Sequence, residues 1–119
     1  MRRVLAVACA AASLSACAFP TRNPATLHAI RSEAAALMAT HPVKPPNDWA
    51  NVPEKQWPAA IASLKPEHVT VYRWGVDIVV KPSFDGGWGY QIARNRKDLP
   101  NPQGCYSKVY GGVFWYGPC

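Results

Sequence analysis

The chain has 119 residues, of which 49% are hydrophobic and 17% are charged, and its formal net charge at neutral pH is +6. This length allows one domain at most. The many aromatic side chains and the low proportion of charged residues exclude a wholly disordered chain.

The first 17 residues have the three parts of a secretory signal. A basic start, Met1-Arg2-Arg3, precedes an apolar run of 11 residues from Val4 to Leu14 and then a short stretch of small residues. As a helix the apolar run would span only ~16 Å, whereas a bilayer's hydrocarbon core is ~30 Å thick. The segment therefore predicts export rather than a permanent membrane span.

The end of this signal carries a more specific pattern. Leu14-Ser15-Ala16-Cys17 resembles the lipobox of bacterial lipoproteins, in which small residues precede an obligatory cysteine. The resemblance covers residues 1–17 and implies cleavage after Ala16, with a diacylglycerol on Cys17 that holds the protein to a membrane. Ala18 rather than Asp after the cysteine favours the outer membrane, facing the periplasm, under enteric-type sorting. The alternative is an ordinary signal peptide cut near Ala16 or Ala18.

Cleavage would divide the chain into a signal (1–16), a short tether (17–22) and one domain (23–119). The mature chain would keep 103 residues with a net charge of +4, and this modest charge in an exported protein argues against nucleic acid as a partner. With Cys17 lipidated, Cys105 and Cys119 remain as a predicted disulfide, because exported proteins meet an oxidising compartment. A redox pair and a bridge to another chain are the alternatives.

The first element of the mature chain is a predicted helix from Asn23 to Thr40. Asn23 is a suitable N-cap and Pro24 suits the first helical position. Apolar residues recur at spacings of three and four, and Pro42 ends the pattern. The predicted buried stripe consists of Leu27, Ile30, Ala34 and Leu37.

The segment from Pro42 to Pro53 contains four prolines, which predict an extended connector without regular pairing. A second, shorter helix is predicted from Pro58 to about Leu64. Trp57, Ile61 and Leu64 would share one side of it, and Pro66 would end it.

After Pro66 the apolar pattern changes to the alternation of strands. His68–Arg73 and a strand containing Val76, Ile78 and Val80 predict a hairpin with its turn at Gly75. Because one face must be buried, an even register is favoured, which places Val71 opposite Ile78 and Val69 opposite Val80.

The rest of the chain predicts a turn at 84–87, a third strand over 88–93, a polar loop over 93–104, and strand character at 106–110 and 113–116. The predicted fold is α+β: one or two N-terminal helices packed on a small antiparallel β-meander of three to five strands.

Aromatic residues are concentrated after Trp57, and Trp and Tyr on a sheet face can stack on sugar rings or anchor a protein partner. We select Trp88, Tyr90 and Tyr116 as the candidate binding surface. The alternative is that these bulky side chains fill the core, and about half of the aromatics are expected there.

No motif for catalysis, metal binding or a cofactor stands out, so none is predicted. The sparse histidines lack partners at ligand spacing, and no serine has the sequence context of a nucleophile elbow. The sequence therefore favours a lipid-anchored, non-enzymatic binding or accessory module for envelope proteins or glycans. A small periplasmic hydrolase or an enzyme inhibitor is the alternative function.

Overall fold

A computed structural model of the chain describes residues 20–82 and 87–118. These residues form an α+β fold, as predicted, with more strands than the expected three to five. Within these residues the α-helices are α1 (Pro24–Thr40) and α2 (Ala59–Ser63). The six strands are β1 (Trp49–Asn51), β2 (His68–Tyr72), β3 (Gly75–Lys81), β4 (Trp88–Ala93), β5 (Tyr106–Tyr110) and β6 (Val113–Tyr116).

Helix α1 forms where the sequence predicts it. The Asn23 side chain accepts hydrogen bonds from the backbone N–H groups of Ala25 and Thr26 at 2.9 and 3.3 Å, which satisfies two amides of the first turn. The predicted apolar stripe is the buried face of the helix, with Leu27, Ile30, Ala34 and Leu37 all buried.

Helix α2 is shorter than predicted, because Pro58 and Leu64 flank it as caps. Its N-terminus is fastened to α1 by the Glu33 carboxylate, which accepts hydrogen bonds from the backbone N–H groups of Ala60 and Ile61 at 3.0 and 2.9 Å. The predicted inner side is confirmed for Ile61 and Leu64, which are buried in the core.

The strands form one antiparallel sheet in the order β1-β2-β3-β4-β6-β5. Consecutive strands are neighbours as far as β4, as in a meander, but the last hairpin is reversed and β6 lies beside β4. Burial explains this order. Val113 and Phe114 are buried on opposite faces of β6, whereas β5 exposes Ser107 and Lys108, which suit an edge strand.

The predicted β2–β3 hairpin is present, but its predicted register is wrong by two residues. Val71 pairs with Val76 and Val69 with Ile78, since only Arg73 and Trp74 connect the strands. The prediction is correct about which face is buried, because Val69, Val71, Val76 and Ile78 all lie on the buried face.

The predicted connector over 42–53 contains a strand that the prolines concealed. Strand β1 has only three residues and pairs on one side alone, with β2, at the edge of the sheet. An edge strand does not need every amide for pairing, so nearby prolines do not exclude it.

Each face of the sheet carries its own group of buried residues. The first core lies between the sheet and the helices and includes Ile30, Ile61, Ile78 and Tyr90. The second core lies on the opposite face and consists of Ala93, Leu99, Tyr106, Phe114 and Tyr116. Leu99 belongs to the loop between β4 and β5, so this loop covers the part of the second face formed by β4, β6 and β5.

Candidate functional site

A polar pocket lies on the second face of the sheet. It is at the boundary between the part that the loop covers and the uncovered part formed by β2 and β3. Strand alternation places Asp77 on this face, opposite in orientation to its buried neighbours Val76 and Ile78. Gln91 of β4 is its cross-strand partner. The pocket measures about 290 Å³ and is lined by Tyr72, Trp74, Asp77, Val79, Gln91, Pro100, Asn101 and Tyr116.

A chain of hydrogen bonds fixes the Asp77 carboxylate. The Tyr116 hydroxyl donates to Asp77 Oδ1 at 2.9 Å, and Gln91 Nε2 donates to the same oxygen at 3.4 Å. The Tyr106 hydroxyl donates to Gln91 Oε1 at 2.5 Å and accepts from the backbone N–H of Asn101 at 3.2 Å. The orientation of Asp77 is therefore set by three strands and by the covering loop.

The hydrogen bonds that described residues donate to Asp77 occupy one of its two oxygens. All the hydrogen bonds that described residues donate to this carboxylate end on Oδ1. Among the described side chains that are not exposed, no fully buried nitrogen or oxygen atom lacks a partner. A carboxylate oxygen is a strong acceptor, and the pocket thus offers one to a hydroxyl or amide group.

Burial in the pocket raises the pKa of the Tyr72 phenol, the Asp77 carboxyl and the Tyr116 phenol. Burial raises the pKa of the Asp77 carboxyl, while the hydrogen bonds from Tyr116 and Gln91 and the charge of His68 oppose this shift. Burial and then the nearby charge of Asp77 raise the pKa of the Tyr116 phenol far above its ordinary value. Tyr116 consequently remains protonated and acts as a hydrogen-bond donor to Asp77.

Aromatic rings form the open side of the pocket. Tyr72 and Trp74 are stacked, with ring centroids 5.3 Å apart and planes 8° from parallel. On the neighbouring strand Trp49 pairs directly with Tyr72, which places it on the same face of the sheet, and it is 57% exposed. Three aromatic side chains, those of Trp49, Tyr72 and Trp74, therefore lie on the same side of the sheet as Asp77.

The residues selected from the sequence do not form one surface. Tyr116 belongs to the pocket, as the donor to Asp77. Tyr90 is fully buried in the first core, and its hydroxyl accepts the Thr21 amide N–H at 2.7 Å. Alternation along β4 places Trp88 on the side of Tyr90; it is half-buried, with the Lys81 ammonium 5.2 Å from its ring centroid.

Two of the three cysteines with predicted roles lie outside the described residues. Cys17, the predicted lipid attachment site, and Cys119, the predicted disulfide partner, are among them, as is most of the predicted turn at 84–87. Cys105 is disulfide-bonded, and its pairing with Cys119 stays a prediction.

Asp77, Gln91 and Trp74 were missed as site residues. One signal in the sequence pointed to Asp77, since it is the only charged residue between Gly75 and Val80 in an otherwise apolar strand. A carboxylate in such a strand indicates a pocket only when the second face of the sheet is partly covered. That cover is supplied by the loop between β4 and β5.

The described residues contain no group of three or more His, Cys, Asp or Glu side chains placed to hold a metal ion. Within 20–82 and 87–118, no helix combines the length and the apolar character needed to cross a membrane. Comparison with protein-family models, curated proteins and solved structures gives no match to this chain.

Proposed function

We propose that this protein is a lipid-anchored lipoprotein of the bacterial cell envelope that binds a glycan, without catalysis, in the Asp77 pocket. The observation that carries the binding proposal is the stacked pair Tyr72–Trp74 beside the Asp77 carboxylate, whose Oδ2 accepts no hydrogen bond from a described residue. A sugar ring has an apolar face that stacks on an aromatic ring and hydroxyl groups that donate to carboxylates.

The size and composition of the pocket support binding rather than hydrolysis. Its volume of about 290 Å³ is at the lower end of ligand sites, which suits a single sugar ring. Glycosidases commonly use two carboxyl groups across the bond they cleave. Among the described residues that line the pocket, Asp77 is the one carboxylic acid.

The glycan proposal is tested by titrating the full-length protein with a tetramer of N-acetylglucosamine and measuring its tryptophan fluorescence. We expect Trp74→Ala to weaken binding by about fivefold or more, as truncation of a buried interface aromatic commonly does. Asp77→Asn should weaken binding by about tenfold through loss of a charge-assisted hydrogen bond.

Trp88→Ala is the matched control, because Trp88 lies on the side of the sheet away from the pocket. It should leave the affinity unchanged while both pocket variants keep the circular dichroism spectrum of the parent. The proposal fails if the parent protein does not bind the tetramer, or if Trp88→Ala weakens binding as much as Trp74→Ala.

The lipid anchor rests on the lipobox pattern at Leu14-Ser15-Ala16-Cys17. Two acyl chains give stable membrane attachment, whereas one gives only marginal binding. We expect Cys17→Ser to move the protein from the membrane fraction to the soluble periplasmic fraction. Unchanged membrane association of this variant would contradict lipidation.

A further inference from the structure

A second concavity lies on the helix side of the sheet, between the C-terminal half of α1 and the end of β4. Its volume is about 570 Å³, within the range of small-molecule sites. Small side chains create the space, with Ala35 and Ala39 on the helix and Gly111–Gly112 in the β5–β6 turn. The half-buried Met38 and the buried Ile92 are the larger apolar residues that line it. We refer to this concavity as the α1 groove.

Two arginines, Arg31 and Arg94, line the α1 groove together with its apolar residues. In the described parts of the chain, the single ion pair joins Arg73 to Asp48, so neither groove arginine is paired with a carboxylate there. The α1 groove thus combines an apolar lining with two arginines that form no ion pair with a described residue. It is complementary to a ligand that has an apolar body and an anionic end.

Arg31 is held in position and still has donors to spare. Its Nη1 donates to the Gly111 carbonyl oxygen at 3.2 Å, and its Nη2 donates to His28 Nδ1 at 3.3 Å. The Tyr110 ring supports the guanidinium from one side, with the ring centroid 5.0 Å from Cζ. A guanidinium has five N–H donors in a planar fork that matches a carboxylate, so three remain for an anion.

From this geometry we propose that the α1 groove binds a single-chain fatty acid, its hydrocarbon chain along Met38 and Ile92 and its carboxylate between Arg31 and Arg94. Burial of the methylene groups supplies most of the affinity. The two arginines select a carboxylate over an uncharged head group. This site is separate from the Asp77 pocket and does not depend on the glycan proposal.

The chain contains only two methionines, Met1 and Met38, so a ¹³C-methyl label on methionine reports directly on the groove. The experiment uses the full chain carrying Cys17→Ser, purified from the periplasm without detergent, and the probe is laurate. We expect a saturable shift of the Met38 methyl resonance with laurate and binding about tenfold weaker with dodecanol.

Two pairs of variants test the site. Ala39→Trp fills the groove from an exposed helix position and should abolish the shift, whereas Ala36→Trp, at another exposed position that does not line the groove, should not. Arg94→Gln should weaken laurate binding about five- to tenfold, because it removes one charge-assisted interaction. The control for this variant is Arg73→Gln, at an exposed arginine that does not line the groove.

The proposal is overturned if laurate produces no saturable shift of Met38, if dodecanol binds as tightly as laurate, or if Ala36→Trp blocks binding as Ala39→Trp does. Trp74→Ala separates the two proposals. It should weaken the glycan and leave laurate binding intact, so failure of one site does not affect the result for the other.

Discussion

Asp77 makes the stability of this protein depend on pH. Burial raises its pKa in the folded state. Between the ordinary pKa, about 4, and the raised one, the native state therefore binds more protons than the unfolded state. The free energy of unfolding then falls as the pH rises through this interval. The contribution of Asp77 is most favourable at or below pH 4 and least favourable above the raised pKa.

We expect Asp77→Asn to remove this component while keeping an oxygen that accepts the Tyr116 hydroxyl. The stability of the variant relative to the parent should increase as the pH rises from about 4 through the raised pKa, above which only the parent carries a buried charge. Urea unfolding followed by tryptophan fluorescence at several pH values measures the difference. Asp98→Asn, at an exposed position in the covering loop, is the control. Parallel stability curves for parent and Asp77→Asn would contradict the argument.

At the scale of elements, the N-cap of α1 has a measurable contribution. Asn23 satisfies two backbone amides of the first turn of the helix that carries much of the first core. Asn23→Ala should lower the free energy of unfolding by about 1 kcal/mol, and Asn23→Ser should restore most of it. Chemical unfolding of the full chain measures both.

Ser32→Ala controls for the change of composition in the same helix, because Ser32 is exposed and no described residue forms a hydrogen bond with its side chain. This variant should leave stability unchanged or slightly higher, since alanine favours helix. An Asn23→Ala variant as stable as the parent would show that the cap contributes nothing.

Helices and strands whose determinants lie within one short stretch of the chain could be predicted from the sequence. The cap, the apolar spacing and the ending proline of α1 lie within one stretch, and the alternation over 88–93, 106–110 and 113–116 gives β4, β5 and β6 with the bounds observed. The two-residue error in the β2–β3 register arose because the alternation determines which face a residue takes, not which partner it meets.

The arrangement of the elements could not be predicted in the same way. The position of β6 beside β4 depends on burial of both its faces, which becomes visible only when the loop over 94–105 is placed. Asp77, Gln91, Asn101 and Tyr116 meet because of that arrangement, although they are far apart in the chain. The site was therefore missed by reasoning from local patterns.

At the scale of the whole molecule, the two faces of the sheet are stabilised by different means. One face is covered by a helix of 17 residues and carries the first core. The other is covered, over β4, β6 and β5, by an irregular loop whose buried anchor is Leu99. A segment with few buried apolar side chains opens locally more readily, so a covalent constraint matters more on this face.

The predicted Cys105–Cys119 bridge would supply that constraint, because Cys105 lies where the covering loop passes into β5. Replacing both cysteines by serine should lower the free energy of unfolding by about 3 kcal/mol, a large part of the ~5–15 kcal/mol typical of a domain. Urea unfolding measures the loss, and the parent protein in reductant should unfold at the same urea concentration as the double variant. Cys9→Ser, within the predicted signal, should have no effect on the mature protein.

Peptide mapping that finds Cys105 bonded to a cysteine other than Cys119 would refute the pairing. The loss should fall mainly on the second face, so glycan binding should weaken in the double variant under conditions where laurate binding is retained.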